Sequence, residues 1–289
     1  MPCKKVTVLM AVYNGLPYLE EAVESVLRQS CADFWFYIVD DGSSNGTAEY
    51  LATLDDPRVK VWHRRNQGLA SSLNFALEHV DTPYVMRADA DDICLPERME
   101  TQLDFLEKQL DLVACSCDIE FTLDGGPTGL YSHLPRRDSE IRRTLMSGGH
   151  ALCHPGLMIR SCVFKELGGY VVSGVGEDWA LFVGLVSAGN VENIPAVLYR
   201  YRLRGGSLSV RYAVEIQKEK KKALAPWVGR RPFHFVFPTA LADLLYRQSL
   251  VLKIKKRGCA AALFVLVAGS LSPVRAVKKV CREAKAKSR

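Results

Sequence analysis

Short apolar runs alternate with segments of helical spacing through the first 110 residues of this 289-residue chain. The runs are rich in β-branched and aromatic residues, which predicts strands at residues 6–12 (VTVLMAV), 34–39 (FWFYIV), 59–63 and 83–86. Between them apolar residues recur every three or four positions, as at Leu19, Ala22 and Val26, which predicts amphipathic helices. This alternation favours an α/β fold with a parallel sheet and helices on both faces.

Acidic residues directly follow two of these predicted strands. Asp40 and Asp41 end the second strand, and residues 89–92 (DADD) follow the fourth. Parallel sheets bind ligands at the carboxyl ends of their strands. Neighbouring carboxylates repel one another unless a cation neutralises them, and such hard oxygen ligands suit Mg²⁺ or Mn²⁺. The shared location favours a divalent-cation site over the alternative of a solvated acidic turn.

The pattern changes after residue 111. The spacing predicts strands at residues 112–117, 119–122, 154–159 and 197–202, and helices at 139–146, about 162–167 and 180–188. Glu177 and Asp178 stand at the start of the last of these helices. Because the helix dipole favours carboxylates there, N-terminal capping alone would explain them.

Charge is distributed unevenly along the chain. The net charge of +6 combines −12 through residue 199 with +18 from residue 200 onward. Residues 258–274 carry no charge, but this segment is short for a transmembrane helix, which needs about 20 residues. We therefore expect residues 223–289 to form a basic amphipathic helical tail on an anionic membrane surface, with packing on the body as the alternative.

The cysteines and the chain start favour a cytoplasmic protein. Nine cysteines occur without a CxxC pair, which indicates reduced thiols. The residues after Met1 run straight into a strand-like segment rather than a leader. With the basic tail, this predicts peripheral attachment to the inner face of the cell membrane.

Six short blocks together resemble the family 2 inverting glycosyltransferases of the GT-A fold, such as bacterial surface-polysaccharide enzymes. The blocks are residues 11–15 (AVYNG), 39–44 (VDDGSS), 66–68 (NQG), 87–92 (RADADD), 176–178 (GED), and 201–202 with 206–209 (YR and GSLS). They occur in the family's order over about residues 6–209. The resemblance implies a nucleotide-sugar half at residues 1–110, an acceptor-binding and catalytic half at 111–222, and the basic tail at 223–289.

On the donor side, the resemblance implies nucleotide-sugar contacts from Ala11, Tyr13, Asp41, Asn66, Arg87, Asp89, Ala90 and Arg204. Asp41, or Asp40 instead, would accept a hydrogen bond from uracil. Asp91, with Asp89, would bind Mn²⁺ or Mg²⁺ in a DxD motif. Many relatives carry histidine where this chain has Arg204. Since arginine pairs well with diphosphate, we expect a phosphate clamp there, with a surface arginine as the alternative.

On the acceptor side, the resemblance implies that Asp178 is the general base, that Glu177 supports it, and that His154 contacts the acceptor. The expected reaction moves a sugar, with UDP the expected nucleotide, onto a hydroxyl of a glycan or lipid-linked oligosaccharide in surface polysaccharide synthesis. A nucleotidyltransferase is one alternative, although no glycine-rich, basic phosphate loop follows the first strand. A non-catalytic protein that binds nucleotide sugars or anionic surfaces is the other. No nucleic-acid partner is expected, because no aromatic and basic interleaving occurs.

Overall fold

A computed structural model of the chain describes residues 4–123, 126–172, 175–203 and 212–228. The strands in these residues are β1 (Val6–Val12), β2 (Phe34–Asp40), β3 (Val59–His63), β4 (Tyr84–Arg87), β5 (Ile93–Cys94), β6 (Leu112–Leu123), β7 (Gly126–Tyr131), β8 (Met158–Arg160) and β9 (Asn190–Arg202). The helices are α1 (Leu19–Leu27), α2 (Thr47–Ala52), α3 (Leu69–Glu78), α4 (Arg98–Lys108), α5 (Asp138–Met146), α6 (Ser161–Glu166), α7 (Glu177–Ala188) and α8 (Ala213–Val228).

The strands form one mixed sheet in the order β3-β2-β1-β4-β8-β6-β9-β5, with β7 paired to β6. Strands β3, β2, β1 and β4 run parallel, as predicted. Every residue of β1 is buried, because helices cover both faces of this central strand. The sheet thus brings the ends of β1, β2 and β4 to one edge.

Two apolar clusters lie on opposite faces of the sheet. One contains the buried face of α1 together with Met99 and Leu106 of α4. The other contains the buried face of α3 together with Trp179 and Phe182 of α7. Helix α7 therefore packs on the same face of the sheet as α3.

The second half departs from the sequence prediction in several places, one of which is the unpredicted strand β7. Residues 112–123 form one strand rather than two, with register shifts on either side of Asp118. The predicted strand at 154–159 is wrong for its first part: His154 begins a turn, and β8 starts only at Met158. Strand β9 begins at Asn190 rather than near Val197, because it pairs in parallel with β6 along most of its length.

Helix α8 ends the described part of the chain and takes in the first residues of the predicted tail. Residues 229–289, which carry the rest of that predicted segment, lie outside the described residues. Among the helices that the structure describes, none combines the length and apolar character needed to cross a membrane.

Candidate active site

Three carboxylates cluster in the loop after β4. Oxygen atoms of Asp89, Asp91 and Asp92 lie within 4.8 Å of one another. Asp92 is buried; its Oδ1 accepts a 2.7 Å hydrogen bond from the Arg202 backbone N–H, and its Oδ2 has no hydrogen-bond partner. Burial, followed by the charges of Asp91 and Asp89, raises the pKa of Asp92. An orphaned buried oxygen among three hard donors fits a divalent cation.

Arg202, the last residue of β9, binds the acidic loop through hydrogen bonds. Its Nε donates to the Asp91 carbonyl at 2.8 Å, and its Nη2 donates to Glu21 of α1 at 2.6 Å. The guanidinium also stacks over the Tyr18 ring at 4.6 Å. One buried cation therefore joins the acidic loop, β9 and the start of α1.

A second buried arginine supports the loop from the β4 side. Arg98 of α4 donates to the carbonyls of Arg87 and Leu157, at 2.8 and 3.2 Å. It stacks on Tyr199 of β9 at 4.9 Å, and the Tyr199 hydroxyl accepts a 3.1 Å hydrogen bond from the backbone N–H of Asp89. These contacts fix the backbone from which the acidic side chains project.

The other acidic pair lies in the first turn of α7. Gly176, with φ +81°, leads into Glu177 and Asp178. Burial, followed by the charge of Glu177, raises the pKa of Asp178 to about 7. Hydrogen bonds from the backbone N–H groups of Trp179 and Asp178, and then the charge of Lys220 on α8, act in the opposite direction. Burial also raises the pKa of Glu177. Helix-start carboxylates are usually stabilised as anions, so N-terminal capping alone does not account for this pair.

Arg87 connects the two acidic groups. It is buried at the end of β4 and forms an ion pair with Asp89. Its charge opposes the rise in the Glu177 pKa, whereas the charge of Asp89 adds to it. The loop after β4 and the start of α7 therefore share one electrostatic environment, although 88 positions separate Asp89 from Glu177 in the sequence.

His154 and Tyr170 line the same region. His154 Nε2 lies 2.8 Å from the Tyr170 hydroxyl. Burial, with the charge of Arg87, lowers the pKa of His154 to about 3, so its imidazole is neutral near pH 7. Burial raises the pKa of Tyr170. This pair offers hydrogen-bonding groups rather than charge.

The ends of β1 and β2 form the other side of the edge. Ala11 is buried, whereas Tyr13 is 57% exposed. The Asn14 backbone N–H donates to Ser43 Oγ, and the Asn14 side chain accepts from the Ser44 N–H, both at 2.8 Å. The two strand-end loops are thus braced against each other, with the Tyr13 ring open to solvent.

Asp41 is bound to the start of α3. Its carboxylate accepts from the N–H groups of Gln67 and Gly68 at 2.9 and 2.8 Å, and from Ser72 Oγ at 2.8 Å. Gly42, with φ +82°, passes close to Asn66: a Cβ there would lie 2.9 Å from the Asn66 nitrogen. Asp41 therefore fixes the 66–68 loop, and its role toward uracil stays a prediction.

Asp40, Ala90 and Arg204 are the other residues that the sequence predicts on the donor side. Asp40 accepts from the Ser43 N–H at 3.0 Å and lies 3.0 Å from His63 Nδ1. Ala90 is half-buried against the core within the acidic loop. Arg204, the predicted phosphate clamp, lies outside the described residues.

Sequence reasoning missed several residues of this site. The sequence indicates Arg202 only as part of the Tyr201-Arg202 motif, and it predicts no role for Tyr199 or Tyr170. It indicates Lys220 only as one charge of the basic C-terminal part of the chain. The motif could have indicated Arg202; the other contacts depend on strands and helices far apart in the chain.

Comparison with known proteins identifies the family. The Glycosyl transferase family 2 model matches residues 7–168. EpsE of Bacillus subtilis (strain 168) is 33% identical over 170 residues, which cover 57% of this chain and 60% of EpsE. The UDP-Gal:alpha-D-GlcNAc-diphosphoundecaprenol beta-1,3-galactosyltransferase of Escherichia coli is 30% identical over 270 residues, which cover 84% of this chain and 96% of that enzyme.

Solved structures share the fold. TarS 1–349 of S. aureus, in complex with UDP-GlcNAc, superimposes with a TM-score of 0.60 at 17% identity, covering 91% of this chain and 81% of that one. The mannosyltransferase PcManGT of Pyrobaculum calidifontis, in complex with GDP-Man and Mn²⁺, gives 0.57 at 18% identity, covering 99% and 81%. The chain has the GT-A fold and belongs to glycosyl transferase family 2, whose members here include bacterial enzymes that use nucleotide sugars.

Proposed function

We propose that this glycosyltransferase moves a sugar from a UDP-sugar, with inversion at the anomeric carbon, onto a hydroxyl of a lipid-linked glycan during synthesis of a bacterial surface polysaccharide. The observation that carries the proposal is the electrostatic link through Arg87 between the acidic loop after β4 and the start of α7. A transfer reaction needs two groups in one place: one that binds the leaving diphosphate and one that takes a proton.

The donor would lie along the ends of β1, β2 and β4. The exposed Tyr13 ring and the loops that Asp41 fixes would contact the nucleotide, with Ala11, Asn66 and Ala90 beside it. Asp91 and Asp89 would hold a divalent cation, Mn²⁺ or Mg²⁺. Such a cation neutralises the negative charge that grows on the departing diphosphate. Residues 1–110 thus form the donor-binding half in this account.

The acceptor would approach from the α7 side, within residues 111–222. The acceptor oxygen attacks C1 of the sugar while the bond from C1 to the diphosphate oxygen breaks. Asp178 takes the hydroxyl proton as the new glycosidic bond forms. Its pKa of about 7 suits this role, since a base works best when its pKa lies near the working pH. His154, kept neutral, would contact the acceptor, and Glu177 would support Asp178.

A single displacement with one base inverts the anomeric centre, so an α-linked donor yields a β-glycoside. The β-linkage in the name of the Escherichia coli relative supports this outcome. That name also specifies a UDP-linked sugar and a diphosphoundecaprenol acceptor, which supports the same classes of donor and acceptor here. Membership of glycosyl transferase family 2 favours a glycosyltransferase over the two alternatives, a nucleotidyltransferase and a non-catalytic binding protein.

The test is a panel of UDP-galactose, UDP-glucose, UDP-GlcNAc and GDP-mannose with Mn²⁺ or Mg²⁺ and a polyprenyl-diphosphate-linked N-acetylglucosamine acceptor. We expect one UDP-sugar to release nucleoside diphosphate, and we expect EDTA to stop the release. For variants that replace a carboxylate of the site by an amide, Asp104→Asn is the matched control. Asp104 is an exposed carboxylate that pairs only with Lys108 among the described ion pairs. Absence of binding and turnover with every donor would contradict the proposal.

A lipid-linked acceptor lies in a membrane, which suggests that the basic part of the chain binds the membrane surface. With +18 net charge from residue 200 onward, residues 223–289 would hold the enzyme peripherally on the anionic inner face of the membrane. We expect the full chain to sediment with phosphatidylglycerol vesicles at 50 mM salt and to be released at 500 mM. Equal sedimentation with phosphatidylcholine vesicles would contradict an electrostatic attachment.

A further inference from the structure

Helix α8 packs against the start of α7. Gly176, which precedes α7, lies so close to α8 that a Cβ there would be 3.3 Å from Glu219 Cβ and 3.4 Å from Ile216 Cα. Leu224 of α8 is buried in the cluster that also holds Trp179. The turn that carries the two candidate catalytic acids is therefore in direct contact with α8, a helix for which the sequence predicts no catalytic role.

Lys220 is the charged residue at the centre of this contact. It is 4% exposed, whereas Lys218, Lys221 and Lys222 of the same helix are exposed. Its Nζ lies 4.2 Å from the centre of the Trp179 ring and donates to the Gly148 carbonyl. A buried ammonium loses its hydration, so its position has to be stabilised by such contacts.

We propose that Lys220 is a positioning residue for the transfer reaction: its buried ammonium fixes the start of α7 through Trp179 and places a positive charge next to the turn that carries Asp178. The proposal rests on the proposed function, in which Asp178 accepts the acceptor proton. Lys220 acts through Asp178 and touches neither substrate. The direction of its effect on the Asp178 pKa, downward, agrees with this role.

The other charged groups around this contact act differently. Glu177, adjacent on α7, raises the pKa of Asp178. Glu219 of α8 is engaged by Lys222 at 2.6 Å. His150, in the turn after α5, is exposed and its ring centre lies 6.0 Å from that of Trp179. Two charged groups among the described residues affect the pKa of Asp178: Glu177, which is acidic, and Lys220, which is basic.

The test is the pH dependence of kcat with the donor selected from the panel. Lys220→Met removes the cation, so the pKa of Asp178 rises and the acid limb of the profile should move upward by roughly 0.5–1 pH unit. We expect kcat to fall roughly 3- to 10-fold at pH 6.5 and to lie within about twofold of wild type at pH 9. Lys220→Arg should keep the limb at the wild-type position.

Three further variants make the result decisive. Lys218→Met, on the exposed face of α8, should match wild type at every pH. Melting curves identify any variant that does not fold; if Lys220→Met fails, Lys220→Gln serves as the neutral variant. An acid limb that stays in place while kcat falls equally at all pH values would show a packing role and overturn the proposal. If Asp178→Asn still transfers sugar, the proposed base is itself wrong; if it is inactive and the limb does not move, only the Lys220 proposal fails.

Discussion

Each side of the candidate site holds a carboxylate near the start of a helix, but the two carboxylates have different surroundings. Asp41, on the donor side, accepts three hydrogen bonds from the beginning of α3. Asp178, on the α7 side, also has backbone N–H donors, but burial and the charge of Glu177 outweigh them, so that its pKa is about 7. A carboxylate with a full set of donors is fixed, whereas one with a raised pKa exchanges a proton near neutral pH.

This difference assigns different physical tasks to the two sides. On the donor side, hydrogen bonds between neighbouring loops make a rigid edge on which a nucleotide would bind without ordering the protein further. On the α7 side, burial raises the pKa of Asp178 and lowers the stability of the folded protein at neutral and alkaline pH. The comparison therefore predicts that donor-side changes alter binding and that α7 changes alter the chemical step.

The largest effect on the donor side is expected from Asp91→Asn. It removes one carboxylate from the cluster with Asp89 and Asp92. Mn²⁺-dependent donor binding should weaken, and turnover should fall roughly 10²- to 10³-fold, because the charge on the leaving diphosphate is no longer neutralised. Calorimetry with UDP and Mn²⁺ measures the binding, and Asp104→Asn is the control. Unchanged binding in the presence of Mn²⁺ would place the cation elsewhere.

A smaller effect is expected from Arg202→Met, which loosens the loop without removing a carboxylate. Arg202 bonds the Asp91 carbonyl and Glu21, so kcat/KM should fall about 10- to 100-fold, the usual cost of losing a residue that orients metal ligands. Arg200→Met is the matched control, since Arg200 is 41% exposed and pairs with Glu120 at 2.9 Å. If the two variants had equal activity, Arg202 would have no positioning role.

The smallest effect is on stability and concerns Asp178. Folding raises its pKa from 3.8 to about 7, so the folded state binds the proton more tightly and stability falls as pH rises through that window. Asp178→Asn removes this penalty and should gain about 1–2 kcal/mol above pH 7, less than the full shift implies because the side chain is partly in contact with solvent. Urea unfolding at pH 4 and pH 8 measures the gain, which should be absent at pH 4.

Much of the first half of the fold follows from local sequence signals. The strands at 6–12 and 59–63 and the buried stripe of α1 match their apolar patterns, because each pattern is set by neighbours in the chain. The position of the acidic loop at a strand end follows as well. These features needed no information about distant residues.

The second half depends on contacts that no local pattern reveals. Asp118 interrupts an apolar run and suggested a break, yet β6 continues through it, because its carboxylate accepts hydrogen bonds from Ser132 and from the Leu134 N–H. Arg202 reaches Glu21 across 181 positions. Lys220 resembles its exposed neighbours in sequence and differs from them only after α8 packs on α7. Burial of charged groups is therefore the part of the site that sequence could not predict.

The central claim is that donor binding and proton transfer reside on different sides of one site. The most direct measurement compares Asp178→Asn with wild type for both steps: calorimetric binding of the active UDP-sugar with Mn²⁺, and transfer of its sugar to the acceptor. We predict donor affinity within about twofold of wild type and transfer reduced roughly 10³-fold, since a nearly isosteric amide cannot accept the proton. Transfer at the wild-type rate, or donor binding lost together with transfer, would contradict the account.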